Sequence, residues 1–431
     1  MKYYCLGIKG TGMSTLAQIL FDMGNEVMGY DDVKDHKFTE EGLINRGITV
    51  FTDSNHIIPD DYIVTYSVAL PQDHPELTRM RNEGKTIRKY NEVVGEITKA
   101  FETISVSGTH GKTTTSSILK HLFTETIGTN YFVGAGDGYV SSENRLFVIE
   151  SDEFNRHFLT YYPCYSIITY IEEEHMECYR DIEDIIDTFS EFADHTSNMI
   201  IACGDNQNIR KLHTNTPVKY YGFNEDNDYI IKNAGFGPFG SSFELDGYKY
   251  EIPLFGSHNV LNATAAIIMA QIEGLSYEQI RDNLKTFRNA HRRLEETVVA
   301  GIPVIDDYAH HPTEIKATLE AVRQKYPDKE IIAVFKPNTY SRTKDFTAEF
   351  AEALSLADKV YITDIDSNRE TVEQYPGVSS DLILQLMENA DKVSDDTVSK
   401  IEVHDNNVIV VMSCASVSHL LDNLYNYLNN K

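Results

Sequence analysis

A short glycine-rich motif after an apolar run constrains the fold of this chain more than any other feature. The run ETISVS at residues 102–107 predicts a strand, Ser116–Thr124 predicts a helix, and the motif joins the two. Glycine lets the backbone approach a phosphate closely, while successive N–H groups and the helix N-terminus attract the anion. We interpret the motif as a phosphate-binding loop made of Gly108, Thr109, His110, Gly111, Lys112, Thr113 and Thr114.

This loop is a compact variant of the Walker A pattern. Walker A reads GxxxxGK[ST], whereas Gly108 and Gly111 are separated here by only Thr109 and His110. In the phosphate-binding interpretation, Lys112 reaches the terminal phosphates of a nucleotide and the Thr113 hydroxyl holds Mg²⁺. The alternative is a glycine-rich turn that happens to contain a lysine.

Strands and helices alternate on both sides of the loop, and this pattern predicts an α/β fold with parallel sheets and ligands at the C-terminal ends of the strands. The segment 224–247 is rich in Gly, Asn and Asp and predicts hairpins or loops. Apolar runs predict strands at Tyr3–Ile8, Glu26–Tyr30, Ile48–Phe51, Tyr62–Tyr66, Arg145–Ile149, Tyr165–Tyr170, Ile302–Ile305, Ile331–Phe335, Lys359–Ile362 and Val408–Met412. Helical spacing predicts helices at Asn259–Ile272, Thr313–Lys325 and Phe346–Leu356.

The length of 431 residues predicts about three domains. We place them at residues 1–100, 101–292 and 293–431, with an uncertainty of several residues at each boundary. The central segment contains the phosphate-binding loop.

Composition excludes several classes of protein. The formal net charge of −28 argues against a general nucleic-acid or membrane-surface binder, because phosphate backbones select basic surfaces. The five cysteines never form a CxxC pair, so a disulfide framework and a structural zinc site are not expected. We find neither a signal peptide nor an apolar run of spanning length, and we expect a cytoplasmic protein with no membrane partner.

Two acidic motifs follow predicted strands near the loop. Glu150-Ser151-Asp152-Glu153 comes after a buried strand, in a position suited to the Mg²⁺ of a nucleotide, or else forms a solvated acidic loop. The segment IEEEHM at 171–176 follows the next predicted strand. Its His175 is either a metal ligand or a structural residue paired with carboxylates.

A second glycine loop lies near the start of the chain. Gly7, Gly10 and Gly12 have GxxGxG spacing, and the acidic pair Asp31-Asp32 follows about 20 residues later. The geometry suits a diphosphate on the loop with a hydroxyl or base near the aspartate. Nicotinamide dinucleotide binding and simple tight packing are the alternatives.

Polar clusters mark the second half of the chain. Asn259 and Asn262 share a predicted helix face, where they either read an adenine edge or cap the helix. The run DDYAHHPTE at 306–314 has the composition of a metal site, or its histidines shape the loop before a helix.

In combination, these motifs resemble the Mur ligases and favour their alanine-adding branch. The resemblance covers most of the chain in the family's order. It rests on GIKGTGMS (7–14), GTHGKTTT (108–115), ESDE (150–153), IEEEHM (171–176), GSHNVLNATAA (256–266), HRRLE (291–295), DDYAHHPTE (306–314) and FKPNTYSRT (335–343).

The resemblance implies three domains: an N-terminal Rossmann-like domain for a UDP-sugar, a central P-loop ATPase and a C-terminal Rossmann-like domain. It implies an ATP- and Mg²⁺-dependent amide ligase of peptidoglycan precursor synthesis. The expected substrates are UDP-N-acetylmuramate and L-alanine, which are joined through an acyl phosphate. The oligomeric state stays open.

The resemblance also assigns residues. Lys112 contacts the ATP phosphates, Glu150 and His175 hold metal together with Thr113, and Arg342 binds the amino acid's carboxylate. The nucleotide would further contact Asn259, Asn262, Arg293 and Asp307. The UDP-sugar would contact Gly10, Thr11, Gly12, Met13, Asp31 and Ser67, with Asp31 near the uridine.

Four departures from the family pattern stand out. Glu174 replaces the usual Asp before the histidine, and Leu294 replaces Phe after the arginine pair. FKPNT at 335–339 replaces Phe-Gln-Pro-His-Arg, which removes a His and an Arg expected near the incoming amino acid. No Lys occurs between His175 and Lys211, so we expect no carbamylated lysine at the metals.

Three other functions remain open from the sequence. A regulatory protein with a phosphate loop would bind nucleotide without catalysis. A nicotinamide oxidoreductase would use the N-terminal glycine loop. A ligase of the same family that recycles murein tripeptide is the third.

Overall fold

The computed structural model describes residues 1–54, 56–134, 136–367 and 370–431, and all elements below belong to these residues. Contacts divide the chain into two compact units. The first comprises Met1–Asn233, Phe243–Tyr250 and Leu261–Phe287, and the second comprises Ala234–Ser242, Glu251–Val260 and Arg288–Lys431. The predicted α/β class is confirmed, while the predicted domain boundaries stay predictions.

The first sheet is parallel and has the strand order β3-β2-β1-β4-β5. Its strands are β1 (Lys2–Leu6), β2 (Glu26–Tyr30), β3 (Thr49–Phe51), β4 (Ile63–Tyr66) and β5 (Thr86–Lys89). Its helices are α1 (Thr11–Asp22), α2 (Glu41–Asn45), α3 (Pro75–Asn82) and α4 (Tyr90–Ala100), with a 3-10 turn at Phe38–Glu40. The order of successive strands reverses between β1 and β4: β2 and β3 are added on one side of β1, and β4 and β5 on the other. Such a switch point opens a ligand crevice at the carboxyl ends of the strands.

The second sheet has the order β13-β12-β11-β10-β6-β9-β7-β8, and β7–β8 is its antiparallel pair. Its strands are β6 (Glu102–Ser107), β7 (Asn130–Val133), β8 (Asp137–Tyr139), β9 (Leu146–Glu150), β10 (Tyr165–Ile168), β11 (Met199–Cys203), β12 (Val218–Gly222) and β13 (Tyr229–Ile230). Helices α5 (Lys112–Thr124) and α6 (Ile182–Asp194) accompany it, with 3-10 turns at Phe154–Thr160 and Ile209–Lys211. Since β6 lies between β9 and β10, the phosphate loop and both acidic motifs meet at one edge.

The two largest boundary differences from the prediction in this sheet have a shared reason. Helix α5 begins at Lys112 rather than Ser116, directly after Gly111 in a left-handed conformation. Strand β10 ends at Ile168, since Thr169 and Tyr170 turn toward the phosphate loop. The Thr109 amide donates to the Tyr170 carbonyl at 2.9 Å, and Thr169 Oγ1 donates to the Ser107 carbonyl at 3.0 Å.

The glycine- and asparagine-rich segment forms hairpins, as predicted. Strands β14 (Lys232–Gly237), β15 (Gly240–Leu245) and β16 (Tyr248–Ile252) make a sheet in that order. Asp246 and Gly247 join β15 to β16 with φ of 51° and 81°, the positive values that a tight two-residue hairpin requires. Helices α7 (Ser257–Ile272) and α8 (Tyr277–Leu284) follow.

The last sheet has the order β17-β18-β22-β19-β20-β21 and is parallel apart from the β17–β18 hairpin. Its strands are β17 (Glu295–Val299), β18 (Ile302–Asp307), β19 (Glu330–Phe335), β20 (Lys359–Ile362), β21 (Ala390–Lys392) and β22 (Asn407–Met412). Its helices are α9 (Pro312–Lys325), α10 (Tyr340–Asp345), α11 (Thr347–Leu354), α12 (Asp381–Leu384) and α13 (Ser418–Asn429), with a 3-10 turn at Asp395–Lys400. Apolar clusters cover both of its faces, as expected for a sheet between helices.

No helix among the described residues combines the length and apolar character needed to cross a bilayer.

Candidate active site

The phosphate loop depends on two glycines with positive φ. Gly108 has φ of 132° and Gly111 has φ of 83°. A Cβ on Gly108 would lie 2.3 Å from Thr169 Oγ1, and one on Gly111 would lie 2.4 Å from Asn262 Oδ1. Both positions therefore require glycine, and the Asn262 amide packs directly against the loop.

Lys112 lies at the mouth of this loop and is held by neighbouring oxygens. Its Nζ donates to the Gly108 carbonyl at 2.6 Å and to the Glu153 carboxylate at 2.8 and 3.1 Å. Burial alone would lower the pKa of Lys112, but the negative charges of Glu153 and Asp152 outweigh burial and raise this pKa above its usual value. The lysine is thus a fixed cation beside a loop of N–H donors.

The side-chain oxygens of Thr113 and Glu150 meet at the site. Thr113 Oγ1 donates to Glu150 Oε1 at 2.9 Å, and the Gly134 amide donates to Glu150 Oε2 at 2.9 Å. Thr113 lies in the first turn after the phosphate loop and Glu150 lies at the end of β9, and their hydroxyl and carboxylate oxygens are ligand types that Mg²⁺ prefers. The residues present fit this ion.

His175 belongs to a second group, with Asp152 and Glu153. Each of the three offers a ligand atom, and these atoms lie within 4.8 Å of one another. His175 has φ of 55°, its Nε2 is 3.8 Å from Glu153 Oε1, and no described residue hydrogen-bonds its buried Nδ1. Burial would lower the pKa of His175, but the carboxylates of Glu177, Glu174 and Glu153 raise it.

The predicted metal ligands therefore divide between two neighbouring clusters. Thr113 contacts Glu150, whereas His175 lies with Asp152 and Glu153. The sequence motif contained all three carboxylates, but its spacing does not reveal that Glu150 meets Thr113 while Glu153 meets both Lys112 and His175. Glu153 is 1% exposed, and burial raises its pKa, although the charge of Lys112 opposes this effect.

The remaining residues of the loop have structural contacts. His110 Nε2 pairs with Glu172, and the rings of His110 and Tyr170 are 5.9 Å apart. Thr109 and Thr114 are buried, each with 7% exposure. Glu172 of the IEEEHM motif therefore orients the loop.

The N-terminal glycine loop likewise joins a strand, β1, to a helix, α1. Gly7 has φ of 74°, and α1 begins at Thr11 after Gly10, with no side chain capping the helix. A Cβ on Gly12 would lie 2.8 Å from Tyr90 Oη, which places the Tyr90 ring on the loop. The side chain of Met13 is buried, so this residue offers a ligand only its backbone.

The contacts of Asp31 favour a structural role. Its Oδ2 accepts from the Lys9 amide at 2.9 Å and its Oδ1 from the Val33 amide at 3.0 Å. Contact with uridine stays a prediction, because both carboxylate oxygens already hold the loop. Asp32 has the more exposed carboxylate and contacts His74 Nε2 at 2.8 Å.

Ser67 lies where the switch point predicts a ligand contact. Ser67 directly follows β4, and a Cβ on Gly7 would lie 3.0 Å from the Cβ of Ser67. Its Oγ accepts from the Ala69 amide at 3.3 Å. Ser67 and the glycine loop therefore share one edge of the first sheet.

The second unit carries the other predicted nucleotide residues. Asn259 Nδ2 donates to the Phe255 carbonyl at 2.8 Å, a local contact at the start of its own helix, and both the adenine contact and the capping role stay predictions. Asp307 accepts from the Leu294 amide at 2.8 Å, the Ala309 amide at 2.9 Å and Thr318 Oγ1 at 3.0 Å. Burial raises the pKa of Asp307, and the charge of Arg293 opposes the rise. Asp307 thus organises its own loop.

Arg342 lies on α10 beside the residues that depart from the family pattern. Its Nη1 donates to Asn338 Oδ1 at 3.2 Å and contacts Thr339 Oγ1 at 3.5 Å. Nearby, buried Lys336 pairs with Asp366 at 2.9 Å and with Asp395 at 3.0 Å. Lys336 was not predicted as a site residue, because a buried cation cannot be inferred from its own position in the sequence.

Comparisons with known proteins show which family and which ligases the chain is similar to. Three family models match: "Mur ligase family, catalytic domain" at residues 2–102, "Mur ligase middle domain" at 106–270 and "Mur ligase, glutamate ligase domain" at 292–414. The chain is 41% identical to the UDP-N-acetylmuramate–L-alanine ligase of Lactiplantibacillus plantarum, with 96% of each chain covered. It is 40% identical to the ligase of the same name from Ligilactobacillus salivarius, over 100% of this chain and 98% of that one.

Solved structures show the same fold. The UDP-N-acetylmuramate-alanine ligase of Thermotoga maritima matches with a TM-score of 0.82 and 25% identity, and all of both chains is covered. A murein peptide ligase from Psychrobacter arcticus matches with a TM-score of 0.71 and 21% identity, over 100% of this chain and 99% of that one, and this likeness concerns the fold alone.

Proposed function

The chain belongs to the Mur ligase family, and from that premise we propose that it joins L-alanine to the carboxylate of UDP-N-acetylmuramate at the expense of ATP. One observation carries the proposal: Lys112, Thr113 and Glu150 meet at the phosphate loop of a chain that matches alanine-adding ligases over nearly its whole length. The reaction belongs to cytoplasmic peptidoglycan precursor synthesis.

A carboxylate is a poor electrophile, so the proposed reaction has two steps. A carboxylate oxygen of the sugar attacks the γ-phosphorus of ATP, and ADP leaves with the bonding electron pair. The alanine amine then attacks the acyl carbon, loses a proton, and expels inorganic phosphate as the amide forms. No covalent bond to the protein is needed, so the protein contributes positioning and charge stabilisation.

The residues of the phosphate loop stabilise charge during both steps. Lys112 and the loop N–H groups neutralise the transferring phosphoryl group. Thr113 and Glu150 would hold Mg²⁺, which supplies Lewis-acid stabilisation of the phosphate oxygens. His175, with Asp152 and Glu153, offers a second cation site or accepts the proton of the amine, and both roles are compatible with the contacts.

The N-terminal loop is our proposed site for the UDP-sugar. The amides of Thr11, Gly12 and Met13 lie in the first turn of α1, where a diphosphate binds favourably, while the Gly10 amide donates to the Gly7 carbonyl at 3.0 Å within the same loop. Ser67 lies at the same sheet edge, and we propose that Asp31 acts there by holding the loop. Arg342 is the proposed ligand of the alanine carboxylate, and Asn259, Asn262, Arg293 and Asp307 keep their proposed place around the nucleotide.

Phosphate release from Mg-ATP tests this function directly. UDP-N-acetylmuramate is supplied with L-alanine, glycine, L-serine or murein tripeptide, one acceptor at a time. We expect release that depends on both the sugar and L-alanine. Release with tripeptide alone would assign the chain to murein recycling. ATP binding without release for any acceptor would indicate a non-catalytic nucleotide-binding protein.

A further inference from the structure

The Glu150 carboxylate is oriented from two sides. Thr113 of α5 binds its Oε1 and the Gly134 amide binds its Oε2, both at 2.9 Å. A Cβ on Gly134 would lie 2.7 Å from Oε2, so any side chain at this position would displace the Glu150 carboxylate. The proposed magnesium carboxylate thus depends on the segment that carries Gly134.

Gly134 directly follows β7, the first strand of the β7–β8 hairpin. Val133 pairs with Asp137 and Phe132 with Gly138 across the hairpin. Strand β7 also pairs with β9, where Phe132 lies opposite Ile149, the residue before Glu150. Any displacement of the hairpin along β9 therefore changes the position of the Gly134 amide relative to the carboxylate.

The hairpin lies between the two helices that follow the glycine loops. Lys120 of α5 pairs with Asp137 of β8 and lies 4.1 Å from the centre of the Tyr131 ring. On the other side, a Cβ on Gly138 would lie 2.7 Å from Thr15 Cγ2 and 3.0 Å from Ile19 Cγ1 of α1. Helix α1 is therefore in direct van der Waals contact with the hairpin backbone.

Two polar side chains attach α1 to the hairpin. Gln18, which is 2% exposed, donates from Nε2 to the Gly136 carbonyl at 2.9 Å. Arg46 donates to the Gly138 carbonyl at 2.9 Å and to Gln18 Oε1 at 3.0 Å. Asp22 holds the same guanidinium through contacts of 2.7 and 2.8 Å. The hairpin carbonyls would lose buried partners if α1 moved.

The same side chains lead back to the N-terminal glycine loop. Gln18 Nε2 donates to Ser14 Oγ at 3.3 Å, and Ser14 Oγ donates to the Thr39 carbonyl at 2.6 Å. Thr39 Oγ1 in turn donates to the Lys9 carbonyl, within the loop, at 2.7 Å. An unbroken series of hydrogen bonds therefore joins the loop to the hairpin.

We propose that the β7–β8 hairpin couples the two glycine loops, and that Gln18 and Arg46 are positioning residues for Glu150. The inference rests on the proposed function, in which the N-terminal loop binds UDP-N-acetylmuramate and Glu150 binds Mg²⁺. A ligand that fixes the position of α1 also fixes the positions of Gly134 and the Glu150 carboxylate, so each substrate tightens the binding of the other. Thermodynamic linkage makes this effect reciprocal.

The test measures the affinity for the magnesium complex of β,γ-imido-ATP, with and without saturating UDP-N-acetylmuramate. The coupling factor is the ratio of the two dissociation constants, and we expect at least about 5-fold in the wild-type protein. In Gln18→Met and Arg46→Met it falls to about 1, while each ligand alone binds within about 3-fold of wild type. A merely structural role would weaken the separate affinities and keep the ratio.

Two further variants separate coupling from folding. Gln18→Glu keeps an acceptor for Arg46 but loses the donor to the Gly136 carbonyl, so we expect lost coupling in a folded protein. Asn25→Ala is the matched control, since the Asn25 side chain donates from Nδ2 to the Leu20 carbonyl at 2.7 Å, at the far end of α1. It keeps the wild-type ratio.

A measurement on the wild-type protein needs no variant at all. We expect UDP-N-acetylmuramate alone, without nucleotide, to slow amide hydrogen exchange at Gly134. Unchanged exchange overturns the proposal, as does a wild-type coupling factor of 1 or full coupling in folded Gln18→Glu and Arg46→Met proteins. If UDP-N-acetylmuramate binds without coupling, only this inference is wrong; if it does not bind, the proposed function is wrong too.

Discussion

The two glycine loops of the first unit have the same connection between a parallel strand and a helix, yet they hold their lysines differently. Lys112 follows its loop and meets the Glu153 carboxylate at the mouth. Lys9 lies within its loop, is 4% exposed, and pairs with Glu40 beneath it. The same strand–loop–helix connection thus places a lysine and a carboxylate at the proposed phosphoryl-transfer site, whereas in the N-terminal loop it buries the lysine in an ion pair with Glu40.

The neighbouring strand ends explain this difference. Next to the phosphate loop, β9 ends in Glu150 and leads into Asp152 and Glu153, so three carboxylates lie beside the proposed nucleotide site. Next to the N-terminal loop, β2 ends before Asp31, whose oxygens accept backbone amides. The two loops therefore differ in what their carboxylates contact: Glu150 and Glu153 meet the side chains of Thr113 and Lys112, whereas both oxygens of Asp31 accept backbone amides.

The largest predicted effect removes the cation of the catalytic loop. Lys112→Ala lowers kcat/KM by at least about 10³-fold, because the phosphoryl charge loses its main side-chain partner. Binding of UDP-N-acetylmuramate stays within 2-fold by calorimetry, roughly as expected for a distant site. Retained turnover would contradict the role given to Lys112.

Glu150→Gln tests the metal side of the comparison. It keeps the size of the side chain but removes the charge that Mg²⁺ requires, so we expect a loss of about 10²-fold. The Mg²⁺ concentration for half-maximal activity rises as well. Glu125→Gln, an exposed change at the end of α5, serves as the matched control and keeps the wild-type magnesium curve.

Lys9→Met, in the N-terminal loop, is expected to lower stability rather than turnover. Glu40 is left buried without its cation, so stability falls by about 3 kcal/mol. The double variant Lys9→Met/Glu40→Gln recovers much of this loss in urea unfolding. Turnover at saturating substrate changes far less than in Lys112→Ala, and an equal loss of kcat in both lysine variants would remove the distinction between the loops.

The same ion pair predicts a pH dependence. Burial would raise the pKa of Glu40, but its hydrogen bonds with Lys9 and the Lys37 amide and the charge of Lys9 together outweigh burial and lower this pKa below its ordinary value. The pair therefore stabilises the fold above the unfolded pKa, at about pH 4.3, and that stabilisation is lost as pH falls through the lower folded value. Unfolding curves between about pH 5 and 3 should be flatter for Lys9→Met/Glu40→Gln than for wild type.

The smallest effect concerns Asp31. Asp31→Asn keeps one carbonyl acceptor for the two amides, so we expect a loss of about 1 kcal/mol of stability. If Asp31 only holds the loop, the selectivity between UDP- and CDP-linked sugars is unchanged. A large change in that selectivity, measured by competition, would restore the uridine contact that the sequence predicted.

Much of the architecture could be predicted because it rests on local patterns. The strand before Gly108 and the helix after it follow from periodicity and glycine chemistry, and both lie where predicted apart from a few boundary residues. The hairpin at Asp246-Gly247 was likewise visible in composition. The boundary errors at Lys112 and Thr169 arise where tertiary contacts of the loop override propensity.

The site was predictable in its residue types but not in its pairings. ESDE identified a carboxylate cluster, yet nothing in the motif says that Glu150 meets Thr113 while Glu153 meets Lys112. Similarly, Asp31 and Asp32 are adjacent in sequence, but one faces the Lys9 amide and the other His74. Tyr90 and Lys336 gave no signal, because each becomes relevant only through distant partners.

The sequence by itself determined the α/β class, the position of the phosphate loop and the charged residues at the strand ends, since these depend on short-range spacing and on the conformations glycine allows. The tertiary structure alone decided which charges pair and how the two loops connect. The bond between Gln18 and Gly136 spans 118 positions of the chain. Such contacts arise only when packed helices and strands bring distant backbone groups into one buried environment, where each must find a partner.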